Sequence, residues 1–126
     1  MKAACVKDYR LLAKKKIPKF LFEYLDGGSF SEVTQRQNLK NLEAISLRQR
    51  VLQGTSDIDT TVKLFGSTYN LPVALAPVGL AGMYARRGEC QALRACENTN
   101  IPFSLSTVGV CSLKEVAEVS NKPFWF

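Results

Sequence analysis

A chain of 126 residues, 46% of them apolar, has room for one ordinary domain and is too hydrophobic to be read as a disordered tail. Its net charge of +6 admits nucleic acid or an anionic membrane surface as partners. No basic–aromatic stripe or nucleic-acid motif accompanies that charge, so nucleic acid is set aside. The absence of histidine removes an imidazole base, a serine–histidine pair and histidine metal ligands from what these residues can supply.

The first third reads as helices. A short amphipathic helix begins near Asp8 and ends at Lys14-Lys15-Lys16, a run that is either a solvated face or an attraction to anionic lipid. The opening residues are too charged for a secretory signal, so a cytoplasmic location is expected. A second helix, "PKFLFEYLD", has Pro18 at its first position, where a missing N–H costs nothing. Gly27-Gly28 ends it and offers positive φ. Ser29 and Glu32 have capping-box spacing for a third helix reaching about Ala44, with Val33, Leu39 and Leu42 on one face.

Strand patterning follows. "ISLRQRVL" (45–52) and "TVKLFG" (61–66) alternate, and a turn is expected at Ser67-Thr68-Tyr69-Asn70. From residue 72 the rhythm changes to strand "PVALAP" (72–77), a Gly-rich loop (78–85), a helix over 86–98 and strand "IPFSLST" (101–107). A helix over 112–120 follows, with a capping box at Ser112 and Glu115, and then "PFWF" opens a third strand. The helix over 86–98 has apolar spacing through Ala92, Leu93 and Ala95. Alternating strands and helices predict parallel strands joined by crossovers, with the last strand's aromatics in need of cover. The domain reading is a helical and strand-pair lead-in over 1–71 and the start of an α/β barrel over 72–126. The stretch 71–85 is apolar but shorter than the ~20 residues of a membrane span, and prolines and glycines interrupt it.

Ligands of parallel α/β folds bind on loops at the carboxyl ends of strands. Ala76 to Gly82 is one such loop. It lacks both nucleotide-loop signatures, and its glycines serve either turn geometry or the close approach of a flat ligand. Ser104 to Thr107 supplies hydroxyls that either donate to a ligand oxygen or satisfy fraying backbone. Tyr24 is either an amphipathic core residue or a neutral donor to a carboxylate. Cys5, Cys90, Cys96 and Cys111 form no Cys-x-x-Cys pair and read as small buried thiols in a reducing compartment, ahead of a disulfide or metal role. Glu23, Asp26, Glu89, Glu97, Glu115 and Glu118 are expected mostly on helix surfaces.

"IPKFLFEYLDGGSF", "ISLRQRVL", "LPVALAPVGLAGMYARRGE" and "IPFSLSTVGVCSLKEVA", in that order, resemble the N-terminal part of the FMN-dependent 2-hydroxy-acid dehydrogenases. "APVGLAGMYARRGE" is similar to the branch containing the quinone-linked bacterial L-lactate dehydrogenases. The resemblance implies a (β/α)8 barrel of which this chain holds the lead-in, two βα units and a third strand, hence a fragment. It implies FMN as cofactor, oxidation of L-lactate to pyruvate, a quinone-side acceptor, a homo-oligomeric parent and an inner-membrane periphery. It assigns Tyr24 to the substrate carboxylate, Pro77, Val78 and Gly79 to backbone bordering the flavin ring, and Ser106 to an FMN contact. The family's catalytic histidine, its carboxylate-binding arginines and its flavin lysine would all lie beyond Phe126, so the chain is expected to be inactive alone. A different reading makes it a non-catalytic module that binds flavin weakly or complements a separate barrel half. Asn100 stands where the family usually has glycine, and its tolerance of left-handed backbone suits that place.

Overall fold

A computed structural model describes residues 2–54 and 56–126. It divides into two compact units, Met1–Gly54 and Thr55–Phe126.

In the first unit, α1 spans Val6–Lys16, α2 Lys19–Asp26 and α3 Val33–Glu43. Asp8 opens α1 by accepting from the Ala4 and Cys5 N–H groups at 2.8 and 3.3 Å. Those donors hold its carboxyl below the usual range. The lysines of the last turn face the negative end of the helix dipole. Arg10 ties α1 to α2 with a forked pair to Asp26, at 2.5 and 2.6 Å. Its guanidinium also sits 5.8 Å from the centre of the Phe22 ring, the buried side chain of α2.

Four local expectations are corrected in this unit. Gly27 does end α2, but at φ −82°, not in the left-handed region. A Cβ there would stand 2.8 Å from the Glu23 carbonyl oxygen, so close approach rather than φ requires the glycine. The Ser29–Glu32 capping box does not form. Glu32 takes left-handed backbone as N-cap of α3, and its carboxylate accepts from the Gly28 N–H at 3.1 Å. Residues 45–52 form no strand, and Leu47 is 94% exposed. Alternation alone cannot make a strand, because backbone N–H and C=O groups need a partner segment, and among the described residues none pairs with this one. Leu39 and Leu42 share a face, but Val33, about two and a half turns before Leu42, lies on the opposite side of the helix, and all three are exposed.

In the second unit, β1 (Val62–Leu64) pairs antiparallel with β2 (Ser67–Tyr69), Lys63 opposite Thr68. The turn falls on Phe65-Gly66, two residues before its expected start, because both take positive φ (48° and 81°) as a two-residue hairpin demands. Leu75 bridges Phe103 and Ser104 bridges Trp125, both in parallel. The strand order foreseen from the sequence is therefore present, but as single bridges instead of full ladders. Pro72, Pro77, Pro102 and Pro123 each lack an N–H, which shortens every run of pairing.

Helices α4 (Ala81–Tyr84), α5 (Gly88–Thr99) and α6 (Leu113–Ala117) follow the strand segments. The α6 capping box forms as expected, with the Glu115 N–H donating to Ser112 Oγ and the Ser112 N–H to Glu115 Oε2. Cys90, Leu93, Cys96, Phe103, Leu105, Cys111 and Val116 make the core. Three of the four cysteines are thus buried free thiols, while Cys5 is exposed. On α5 the buried stripe runs through residues 89, 90, 93 and 96, and Ala95, expected inside, is exposed. Asn100 ends the helix at φ 51°, the left-handed conformation foreseen for it. It also binds the hairpin, donating to the Thr68 carbonyl and to Asn70 Oδ1 at 3.2 and 3.0 Å.

The terminal aromatics are partly covered. Phe124 meets Phe103 edge-on at 6.0 Å and Trp125 meets Phe65 at 5.7 Å, while Phe126 stays 71% exposed. Among the described residues no helix is long and apolar enough to cross a membrane.

Candidate flavin-bordering site

The carboxyl ends of two adjacent parallel segments place the candidate residues of the second unit side by side. The first segment runs through Leu75 into Pro77, Val78 and Gly79; the second runs from Phe103 to Ser106. They are joined by the Leu75 N–H to the Pro102 carbonyl at 2.9 Å and the Ser104 N–H to the Leu75 carbonyl at 3.1 Å. Along 103–106 burial alternates. Phe103 and Leu105 turn into the core beneath α5, and Ser104 and Ser106 take the other, half-buried face. That alternation puts the Ser106 hydroxyl on the open side of the sheet.

Beyond the strand ends the two loops touch. The Leu80 N–H donates to the Val108 carbonyl at 3.0 Å. Ser106 Oγ accepts from the Val108 N–H at 3.2 Å, which shapes the second loop and leaves the hydroxyl proton for another acceptor. A Cβ on Gly79 would lie 2.9 Å from Val108 Cγ2 and 3.9 Å from Ser106 Oγ. Glycine at 79 therefore keeps bare main chain beside the serine hydroxyl, a cradle that any side chain would fill. Val78 is half exposed beside it. Bare backbone next to a hydroxyl donor fits a flat, polar-edged ring system, so the residues present suit a flavin.

Pro77, Val78, Gly79 and Ser106 are thus brought together. Tyr24 belongs to the other unit, near the C-terminal end of α2, where it is 73% exposed. Its phenol is open to solvent and to a ligand, not part of a core.

One residue is corrected outright. Glu89, expected on a helix surface, is 2% exposed. Its Oε1 accepts from the Gly82 N–H at 3.0 Å and from the Val110 N–H at 2.8 Å. Burial pushes its pKa up, but N–H donation from its own backbone, Val110 and Gly82, with the Cys111 thiol, outweighs burial and holds it below the usual range. Burial, and the approach to Glu89 and Cys90, push the Cys111 thiol up to about 12. A sequence signal did exist: residues 89, 93 and 96 fall on one helical stripe, so Glu89 shares the face of Leu93 and Cys96.

The family described as FMN-dependent dehydrogenase matches residues 13–126. The chain is 55% identical over 119 residues to an L-lactate dehydrogenase of Stenotrophomonas maltophilia and to one of Pseudomonas aeruginosa. It is 56% identical to one of Xanthomonas campestris. Each match covers 94% of this chain but 31% of the relative, so the chain spans about a third of their length. Among solved structures, a mandelate oxidase superposes with TM-score 0.88 at 29% identity, over 98% of this chain and 36% of that one. A soluble mutant of the membrane-associated (S)-mandelate dehydrogenase of Pseudomonas putida gives 0.87 at 30%, over 96% and 35%. A mandelate oxidase variant described with a C4a-OH-FMN adduct gives 0.84 at 30%, over 94% and 36%.

The chain belongs to the FMN-dependent dehydrogenase family. Its elements are the lead-in helices, the strand pair and the first βα units of that family's (β/α)8 barrel.

Proposed function

We propose that this chain forms part of an FMN-dependent L-lactate dehydrogenase, oxidising a small 2-hydroxy acid to the 2-oxo acid. The observation that carries the reading is the cradle of Gly79 beside Ser106, with Leu80 bonded to Val108, on a chain 55% identical to L-lactate dehydrogenases. The main chain of Pro77, Val78 and Gly79 and the Ser106 hydroxyl, as a donor, would hold the flavin. The flavin supplies the sink for the two electrons that leave the substrate carbon. Tyr24 donates from its phenol to the substrate carboxylate, a neutral donor that stays protonated near neutral pH. With no histidine in the sequence, the histidine base that the family resemblance implies is not among these residues. The electron acceptor on the quinone side, association with the inner face of the membrane through the lysines of α1, and a homo-oligomeric assembly belong to the same proposal.

The test replaces the matched segment of the Pseudomonas aeruginosa L-lactate dehydrogenase with this chain. The chimera should take up FMN and reduce a dye on addition of L-lactate. Tyr24→Phe should raise KM for L-lactate about 10-fold or more, as expected for one hydrogen bond to a charged group. A chimera that holds no flavin refutes the cofactor reading, and one that holds flavin but leaves lactate untouched refutes the substrate. Clear lactate turnover by the 126-residue chain alone would overturn the claim that the base lies elsewhere.

A further inference from the structure

We infer that Glu89 is a positioning residue, whose buried carboxylate fixes the spacing of the two loops that border the flavin. This rests on the flavin reading above. Among the described residues Glu89 is the one buried charged side chain, and its Oε1 joins two segments far apart in sequence, at Gly82 and at Val110. Each segment continues directly from a proposed flavin contact. Gly82 follows Pro77, Val78 and Gly79, and Val110 follows Ser106.

The surroundings fit a clamp. A Cβ at Gly82 would lie 3.1 Å from Glu89 Oε2, and one at Gly109 would lie 3.5 Å from Oε1, so both glycines let main chain close on the carboxylate. Gly82 would also strike Val110 Cβ at 2.7 Å, so the loops meet where the carboxylate grips them. The other direct tie between the loops is the Leu80–Val108 backbone bond, on the flavin side of the same contact. Oε2 is buried without a hydrogen-bond partner among the described residues. An apolar side chain would fill this place without that desolvation penalty. What it could not do is accept both amides with one atom and so hold their separation. The carboxylate also stands in the first turn of α5, where the helix dipole favours negative charge, and α5 is anchored in the core through Cys90, Leu93 and Cys96. Loop spacing is thereby referred to the rigid part of the unit, and the Gly79–Ser106 cradle inherits it.

The test uses the chimera with Glu89→Ala and Glu89→Gln, reading amide hydrogen exchange, the FMN dissociation constant, and KM for L-lactate at saturating FMN. Glu89→Ala should lose protection at Gly82 and Val110 and weaken FMN binding by on the order of 10-fold, as for lost hydrogen bonds to a charged acceptor. The amides of Leu93 and Val116 and the lactate KM should not move. Glu89→Gln keeps a carbonyl oxygen at the Oε1 position and should restore most of both losses. The inference is overturned if Glu89→Ala leaves the Gly82 and Val110 amides protected, or frees them without weakening FMN. Loss of protection throughout the core, unrescued by glutamine, also overturns it, since that marks a general structural role. Failure of the unsubstituted chimera to bind FMN would instead refute the flavin reading itself, and with it the purpose given to Glu89.

Discussion

Gly88→Ala sets two known effects against each other at the start of α5. Alanine is the better helix former by about 1 kcal/mol, which on propensity alone predicts stabilisation. Yet the new Cβ would lie 2.6 Å from the Ala81 carbonyl oxygen and 2.9 Å from its carbon. Both obstacles are backbone, so no side-chain rotation relieves them. To reach ordinary contact at 3.4 Å the two segments must part by roughly 0.8 Å. α5 cannot give way, because Cys90, Leu93 and Cys96 fix it in the core, whereas α4 has no buried residue of its own. The shift therefore falls on α4, and it pulls the Gly82 N–H off Glu89. Overpacking costs about 1–3 kcal/mol and a weakened bond to a charged acceptor adds to it, so the clash wins. The variant should be less stable by about 1–3 kcal/mol. Urea unfolding followed through Trp125, the only tryptophan, reads this directly, since its ring packs edge-on against Phe65. Stability equal to or above that of the parent would show that the two segments separate freely and that the close approach has no energetic weight.

Three further outcomes are expected. Ser112→Ala removes the hydroxyl that caps α6 and should cost about 1 kcal/mol in the same unfolding assay. Donation from the Ser112 N–H, and then from its hydroxyl, holds Glu115 below the ordinary glutamate value of 4.5. A depressed carboxylate stabilises the fold above its unfolded value and loses that contribution as pH falls through the folded one. An NMR titration should thus find the Glu115 midpoint below 4.5 in the parent and higher in Ser112→Ala. Alkylation followed by peptide mass mapping should label Cys5 readily at neutral pH. Cys96, raised by burial, and Cys111, pushed up to about 12, should label only on unfolding. Rapid labelling of Cys111 in the folded chain would contradict its buried place beside Glu89.

Local rules were enough where one segment's own chemistry decides the outcome. The capping box at Ser112 and Glu115, the helix over most of 86–98 and the order of three parallel segments could all be read from residue type and spacing, and the resemblance added the left-handed Asn100. The same rules failed at other places, for want of a partner or through a backbone turn or close approach that residue type does not show. Residues 45–52 alternate yet find no strand to pair with among the described residues. Ser29 and Glu32 have box spacing, but the chain turns at Glu32 before the helix begins. Gly27 is needed because the Glu23 carbonyl is close, and not for its φ. Glu89 is charged and so was read as a surface residue, although the stripe it shares with Leu93 and Cys96 runs into the core.

Residue type and spacing thus determined the class of this chain: helices leading into parallel βα units, with a glycine loop and a serine loop at the strand ends. Hydrophobic period, caps and turn residues act within a few positions of one another, so they survive in a linear reading. Only the folded structure decided that Gly79 and Ser106 share one cradle and that a single oxygen of Glu89 holds both loops to α5. The Glu89–Val110 and Gly79–Ser106 contacts join residues more than 20 positions apart, and such contacts are set by how the core closes and not by any local preference.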